Sequence, residues 1–439
     1  MPRRIAIIGS GPAGFYAAQA AIDKMDDATV DLIERLPSPF GLIRAGVAPD
    51  HQSTKQVQRK FEKTASDPRV SLIANVEVGH DVSMAELREM YDAVIIATGA
   101  PTDRLLGIPG SDLPGVFGAQ AFVSWYNAHP DFADLEPNLN VGAAAVVGNG
   151  NVALDIARLL ARSEGGRART DMPEHVRRAM DMSPIKDVHV LGRRGPAEAK
   201  FTNVELREML DLTEGVPLID PAILPDEAPA SLGGREQRLA QRNLDTFRQF
   251  LKLDQSKAKR HVHFDFFRRP VEVLGRERLE GIRVEVTTVD ESGKARGTGE
   301  MIDIPCGLVI AAIGYRGEAV DGVPFDDEQG LIPNKEARVE PGLYAVGWIM
   351  RGPSGVISSS RPDGIAAADR IGEDVPADTG KAGGEALKAL LRERDVFVVG
   401  FDDWKVLDAA ELEKATHPAP RLKFVRSEDM LQHLKDNSA

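Results

Sequence analysis

Two glycine-rich turns, each set between an apolar strand pattern and a helix pattern, constrain this chain more than any other feature. The first is Gly9-Ser10-Gly11-Pro12-Ala13-Gly14, after Ile5-Ala6-Ile7-Ile8 and opening a helix to about Lys24. The second is Gly148-Asn149-Gly150-Asn151-Val152-Ala153, after a strand from Ala143 to Val147 and opening a helix to about Ala161. A further strand comes after each helix, at Val30–Glu34 and at Val188–Leu191. Strand, glycine turn, helix and strand make the βαβ unit that holds a dinucleotide. The first glycine permits the tight turn, and the second lets backbone approach a pyrophosphate. Gly14 and Ala153 let helix pack on strand, and the helix N-terminus offers amides and positive dipole to phosphate. A chain that holds two dinucleotides is built to move a hydride from one to the other.

The residues that close each unit tell the two apart. Glu34 stands at the end of the second strand, 20 residues past Gly14. A carboxylate there accepts hydrogen bonds from the ribose hydroxyls and repels a 2′-phosphate, so the first site reads as FAD or NAD. The second unit ends Gly192-Arg193-Arg194-Gly195-Pro196. Two guanidiniums at the ribose position suit a 2′-phosphate through charge-assisted bonds, which reads as NADP. Solvated loop charges are the competing reading of Arg193 and Arg194.

The length of 439 residues suits about two to four domains. Pro101, Pro109 and Pro114 mark a crossing out of the first unit, and the chain crosses back near 315–322. The expected fold is α/β, with two Rossmann-like dinucleotide-binding domains and the NADP domain inserted into the FAD domain. Residues 1–104 form the first part of the FAD domain, 105–322 the NADP domain, and 323–439 the rest of the FAD domain. The last stretch reads as a small α/β appendage. Its strands are expected at Val396–Val399 and Leu422–Val425, with helices near Ala409–Lys414 and from Ser427-Glu428-Asp429.

Composition excludes several classes. A net charge of −13 argues against general binding to nucleic acid or an anionic membrane. No apolar run reaches the roughly 18 residues of a membrane span. An apolar strand begins by Ile5, leaving no room for a leader if this is the native start, so a cytoplasmic location is expected. Cys306 is the one cysteine. A redox dithiol or an iron–sulfur ligand set cannot be built from it, and no metal site is expected.

These motifs, with several others, resemble the adrenodoxin-reductase type of ferredoxin–NADP reductase, in its bacterial branch, over nearly the whole chain. The resemblance runs through Gly41-Leu42-Ile43-Arg44-Ala45-Gly46-Val47-Ala48-Pro49-Asp50-His51 and Gly148 to Asp155. It continues through Phe201-Thr202-Asn203-Val204-Glu205-Leu206-Arg207-Glu208 and Gly347-Trp348-Ile349-Met350-Arg351-Gly352-Pro353-Ser354-Gly355-Val356-Ile357. Related flavoproteins usually carry Gly-Asp where this chain has Gly347-Trp348. The resemblance implies FAD contacts at Ala13, Glu34, Leu42, Val78, Trp348 and Gly355 to Ile357. It implies NADP contacts at Asn149 to Val152, Arg193, Arg194, Glu205 and Gly355.

Hydride transfer needs two stacked rings, so positioning outweighs acid–base chemistry. Gly355-Val356-Ile357 is the segment expected at the flavin's pyrimidine end, where a helix N-terminus would stabilise negative charge. An ordinary helix cap would look the same locally. Trp348 belongs with the reacting set. The resemblance also pairs His51 with Asp155 near the flavin, either to tune potential and relay a proton or simply to lock two domains. Glu205 sits in Thr202-x-x-Glu205, so it either caps its helix or, as the resemblance implies, orients the nicotinamide.

With no dithiol, electrons must leave the flavin for an outside acceptor, and the resemblance implies a ferredoxin. Segment 233–263 holds Arg235, Arg238, Arg242, Arg248, Lys252, Lys257, Lys259 and Arg260 against Glu236, Asp245 and Asp254. That basic stretch in an acidic chain suits docking of an acidic partner, although a solvated helix face reads the same way. A diaphorase or quinone reductase without a protein partner, and a non-enzymatic redox-sensing flavoprotein, stay open as alternatives.

Overall fold

The computed structural model describes every residue except Met1, Lys257, Glu291, Asp378, Ser438 and Ala439. Strand β1 (Arg3–Ile8), helix α1 (Pro12–Lys24) and strand β2 (Ala28–Glu34) form the first βαβ unit. β3 (Val70–Ala74) and β4 (Ala93–Ile96) extend it in parallel register, with β1 central. Ile5 to Ile8 pair with Val30 to Ile33 on one side and Ala93 to Ile96 on the other. A parallel strand covered on both faces cannot alternate polar with apolar, which is why this one reads as an unbroken apolar run.

A second sheet lies in the middle of the chain. It contains β5 (Ala143–Val147), α2 (Asn151–Ala161) and β6 (Asp187–Gly192). Then come the short helix α3 (Asn203–Arg207), helix α4 (Gly234–Phe250), β7 (Arg260–Phe266) and β8 (Leu308–Ala311). Its order is 116–118, β8, β5, β6, β7, 215–218. An antiparallel three-stranded sheet, at 268–275, 279–289 and 295–305, packs over one face of it. The chain then returns: β9 (Leu343–Ala345) pairs with β4 of the first sheet. Helix α5 (Ser360–Asp374) comes next and lies on α1. Gly364 permits that approach, since a Cβ there would come within 2.8 Å of Tyr16 backbone. One Rossmann-like domain is thus inserted into another.

The outbound and return crossings touch each other. Thr102–Asp103 and Tyr315–Arg316 form a two-stranded antiparallel ribbon. The Asp103 carboxylate accepts from the Gln120 and Ala121 amides at 2.7 and 3.1 Å. Among the described residues no helix is long and apolar enough to cross a membrane.

The C-terminal stretch differs from the expected α/β appendage. It forms two helices, α6 (Phe401–Glu413) and α7 (Ser427–Asn437), the first much longer than Ala409–Lys414. Trp404, Leu407, Met430 and Leu434 join the same core as Phe15 and Phe40, so the stretch is part of the first domain's packing. Of Val396–Val399, only Val399 bridges a strand, opposite Ala74. Leu422–Val425 forms no strand. Its backbone is satisfied by Glu411 instead: Leu422 N–H donates to the Glu411 carbonyl and Phe424 N–H to the Glu411 carboxylate, both at 2.9 Å.

Candidate functional site

The first turn is shaped by close approach. Gly9 has φ +104, and a Cβ on it would sit 2.5 Å from the Ala97 carbonyl. A Cβ on Gly14 would lie 2.0 Å from the Gly9 carbonyl, which is how tightly α1 sits on its strand. Gly11 faces Gly41, so two backbones meet without side chains. Glu34 is held at the end of β2. Its Oε2 accepts from the Ser10 amide at 3.0 Å and the Ser10 hydroxyl at 2.7 Å, and its Oε1 from the Leu36 amide at 3.1 Å. Those bonds fix a carboxylate beside the turn with lone pairs left over for ribose hydroxyls. The Thr98 hydroxyl, next to Gly9, is buried without a partner among the described residues. A dinucleotide fits this cradle.

The other expected FAD contacts gather around it to different degrees. Gly347 (φ +76) abuts Ala13, where an added Cβ would come within 2.6 Å of the Ala13 Cβ. This joins the Gly-Trp turn to the first glycine turn. Trp348 is half-buried, donates from Nε1 to the Ser354 carbonyl at 3.1 Å, and lies beside Tyr315 with ring centroids 6.0 Å apart. Leu42, the first residue of the short helix Leu42–Ala45, and Val78, bridged to Val82, are both half-buried. Gly355-Val356-Ile357 does not open the long helix directly. A 3₁₀ turn, Ile357–Ser359, intervenes before α5, and the Val356 amide donates to Ser359 Oγ at 3.0 Å.

The second turn repeats the pattern on the inserted domain. A Cβ on Gly148 (φ +140) would lie 2.1 Å from the Ala312 carbonyl, whereas Gly150 has open space within 4 Å. Backbone bare to solvent at Gly150 is what a pyrophosphate needs. Asn149 packs against Gly192, and its Oδ1 is buried without a partner among the described residues. Asn151 Oδ1 accepts the Thr202 amide at 2.8 Å, and Val152 is half-buried. Arg193 is exposed and Arg194 half-buried. Their backbones are fixed by the Thr287 hydroxyl and the Phe267 amide, yet neither guanidinium meets a carboxylate among the described residues. The donor set suits a phosphate-bearing ribose.

Between the two turns lies a charged cluster that sequence reasoning described only in part. His51 does not pair closely with Asp155, whose Oδ1 is 3.9 Å away. Its Nε2 instead faces the Glu208 carboxylate at 2.6 Å, with Glu205 at 3.5 Å. The reason is Arg158, which occupies the space between them. Its guanidinium meets Asp50 at 2.8 and 2.9 Å, Asp155 at 2.9 Å and Glu208 at 3.1 Å. Arg158 Nη2 is also 2.7 Å from His51 Nε2. That nitrogen donates to Glu208 when protonated and accepts from Arg158 when bare. Asp50, Arg158 and Glu208 are the members sequence reasoning missed.

Burial competes with hydrogen bonds and neighbouring charge to set the protonation of this cluster. Burial opposes charge on His51, but its bond to Glu208 prevails and raises its proton affinity. Burial also works against an ionised Asp50, yet the Arg158 bond and charge outweigh it and bring the carboxyl down to about 2. Glu205 goes the other way: burial, with the Asp155 charge added, pushes it up to about 7. Its Oε2 is buried with no hydrogen-bond partner among the described residues. The capping box is only half made, because Thr202 Oγ1 accepts the Glu205 amide at 3.4 Å while the Thr202 amide goes to Asn151. The Glu205 carboxylate is therefore left beside His51 and Arg158, at 3.5 and 3.9 Å.

The basic segment is reduced by the structure. Arg260 donates to the Leu160, Arg162 and Ser183 carbonyls, so it braces the inserted domain instead of facing solvent. Arg248 is tied to Asp245 and Lys259 to Glu214. Lys257 lies outside the described residues. Arg235, Arg238, Arg242 and Lys252 lie at the surface, the first three along one side of α4.

Two dinucleotide cradles, one domain inserted in the other and a charged cluster between them, define a two-dinucleotide oxidoreductase. Residues 3–195 match the family described as pyridine nucleotide-disulphide oxidoreductase. The chain is 40% identical to NADPH-ferredoxin reductase FprA of Mycobacterium tuberculosis, over 98% of this chain and 99% of that protein. It is 42% identical to the human mitochondrial NADPH:adrenodoxin oxidoreductase, over 98% and 92% respectively. The solved structure of M. tuberculosis FprA in complex with NADPH matches with a TM-score of 0.94 at 38% identity, covering 99% of this chain and 100% of that one. The chain belongs to the adrenodoxin-reductase type of NADPH–ferredoxin reductases. The disulphide of the broader family's description has no counterpart here. Cys306 is the one cysteine, it is buried, and burial pushes its thiol up to about 12.

Proposed function

We infer that this chain is an FAD-dependent NADPH:ferredoxin oxidoreductase, acting from NADPH toward ferredoxin or in reverse. The asymmetry of the two cradles carries the reading. A fixed carboxylate, Glu34, closes the first, and two guanidiniums without carboxylate partners among the described residues, Arg193 and Arg194, close the second. When bound, FAD accepts a hydride from NADPH and gives electrons up singly.

The protein's own part is holding and excluding. Gly11 would bring bare backbone to the first dinucleotide and Gly150 to the second, while Gly9, Gly14, Gly148 and Gly347 hold the turns close-packed, with Ala13, Asn149, Asn151 and Val152 beside them. Glu205, protonated or ionised near neutrality, faces the crevice as a hydrogen-bonding group for a carboxamide or ribose. His51 joins it through Glu208, and Asp50 with Arg158 keeps both on a fixed base. Trp348, braced by Ser354 and Tyr315, shields the ring site. Arg235, Arg238 and Arg242 on α4, with Lys252, offer a basic face to an acidic iron–sulfur partner. The division into 1–104, 105–322 and 323–439, and a cytoplasmic setting, belong to the same reading.

Anaerobic stopped-flow mixing tests it. Bound flavin should be bleached by NADPH much faster than by NADH, and the reduced protein should then reduce a ferredoxin within useful turnover. Fast quinone or dye reduction with no ferredoxin reduction would make it a diaphorase. Flavin reduction too slow for any turnover would make it a sensor.

A further inference from the structure

Away from the crevice, β6 and β7 carry a second group of reactive side chains. The strands run parallel, with His261 opposite Asp187 and His263 opposite His189. Alternate residues of a strand share a face. Asp187, His189, His261, His263 and Asp265 therefore line one surface, while Val188, Val262 and Phe264 between them turn into the core. The three-stranded sheet packs over Ala145, Val147 and Leu191 on this side. It leaves the histidine end partly open, with Asp187, His261 and His263 side chains 41%, 34% and 29% exposed.

The geometry on this face is that of a ligand set. His263 Nε2 is 2.8 Å from Asp187 Oδ1, and His261 Nδ1 is 3.5 Å from the same oxygen. One ligand atom from each residue lies within 4.8 Å of the other two. Ligands of a tetrahedral zinc, at about 2.0–2.1 Å from the ion, stand about 3.4 Å apart, so only small side-chain adjustment is needed. The His263 ring is stacked on His189, centroids 4.7 Å apart and planes 14° apart. His189 Nδ1 in turn meets Asp265 Oδ2 at 2.7 Å. That backing fixes the orientation of a ligand ring, as outer partners do at metal centres.

We propose that Asp187, His261 and His263 bind a divalent transition-metal ion, with zinc the best match, and that His189 and Asp265 are positioning residues for it. Two imidazoles and one carboxylate favour zinc over calcium or magnesium, which take all-oxygen sets. Three protein ligands leave a fourth position to solvent, the pattern of an exchangeable site. The ion would clamp the two strands at the start of β6, whereas Arg193 and Arg194 lie just past its other end. Its effect should fall on the stability of the inserted domain and leave hydride transfer alone.

The test uses the FAD-loaded, tag-free protein, stripped with a chelator and titrated with zinc by calorimetry. One equivalent should bind saturably and raise the melting temperature. His261→Asn and His263→Asn should abolish that binding, and His189→Leu should weaken it at least about tenfold. All three should keep their flavin and their NADPH–dye turnover, which reports intact folding. Asp187→Asn provides a further variant if one histidine change perturbs the sheet. Absence of saturable binding overturns the proposal. So does binding that survives in the His261/His263 double variant, or that inhibits turnover, because His51, Glu205 and Glu208 form another ligand-like trio in the crevice.

Discussion

Asp50 and Arg158 are joined across the domain boundary by two hydrogen bonds, with 4% and 1% of their side chains exposed. Asp50 belongs to the loop after Gly41, and Arg158 to α2 of the inserted domain. Removing Arg158 leaves the buried Asp50 with Arg162 as its remaining cation, and Asp155 and Glu208 short of theirs; breaking a buried pair typically costs about 3–5 kcal/mol. Arg158→Met should therefore lower the unfolding midpoint sharply. Asp50→Asn combined with Arg158→Met should recover part of the loss. A double-mutant cycle by chemical denaturation measures the coupling, and additive losses would show that the pair is not coupled.

Glu205 gives a pH signature. The folded chain holds its proton up to about 7, against an ordinary value of 4.5. Between those values the folded state binds more protons than the unfolded one. Its contribution to stability is therefore full below the lower value and lost as pH rises through the upper. Glu205→Gln should flatten the decline in unfolding midpoint from about pH 5 to about pH 8. The same variant should lose any ionisation near neutrality in the rate of flavin reduction by NADPH. An unchanged profile would mean that another group titrates there.

Arg193 and Arg194 should set coenzyme choice. A hydrogen bond to a charged group is worth about 1.5–3 kcal/mol, roughly ten- to a hundredfold in affinity. Arg193→Ala and Arg194→Ala should each raise KM for NADPH by such a factor, with kcat little changed and NADH rates unaffected. Equal losses with NADPH and NADH would remove the 2′-phosphate from the explanation.

Charge reversal separates docking residues from bracing ones. Reversal at Arg238, Arg242 and Lys252 should raise KM for ferredoxin and weaken its dependence on salt, while small-dye reduction stays the same. Arg260→Glu should do the opposite: it should cost stability, because Arg260 serves three backbone carbonyls. Ferredoxin and dye assays across an ionic-strength series check both halves.

The cradles are legible in sequence because each rests on local geometry. Gly9, Gly14 and Gly148 are required by their own turns, and Glu34 comes at a fixed distance along one βαβ unit. The charged cluster is legible only in part. Arg158 sits mid-helix between Ala157 and Leu159, where an arginine normally points to water, and its partner Asp50 is 108 positions away. Nothing local announces that pairing, so Asp155 looks like the natural mate for His51. Its one visible trace is the apolar company on both sides of Arg158, which marks a buried helix. Leu422–Val425 has strand composition, yet a single residue, Glu411, takes up its backbone. Asp187 and His261 likewise become neighbours only through parallel pairing of two distant strands.

The paired crossings decide how such a molecule can open. Asp103 nails the ribbon to the inserted domain through the Gln120 and Ala121 amides. On the other side the Gly317 amide is held by the Gly330 carbonyl at 3.0 Å. Two covalent links fastened to each other act as a door hinge and not as a tether: they allow turning about one line and resist sliding. Any opening between the two domains should therefore come as rotation about the ribbon, with little sliding of one domain past the other.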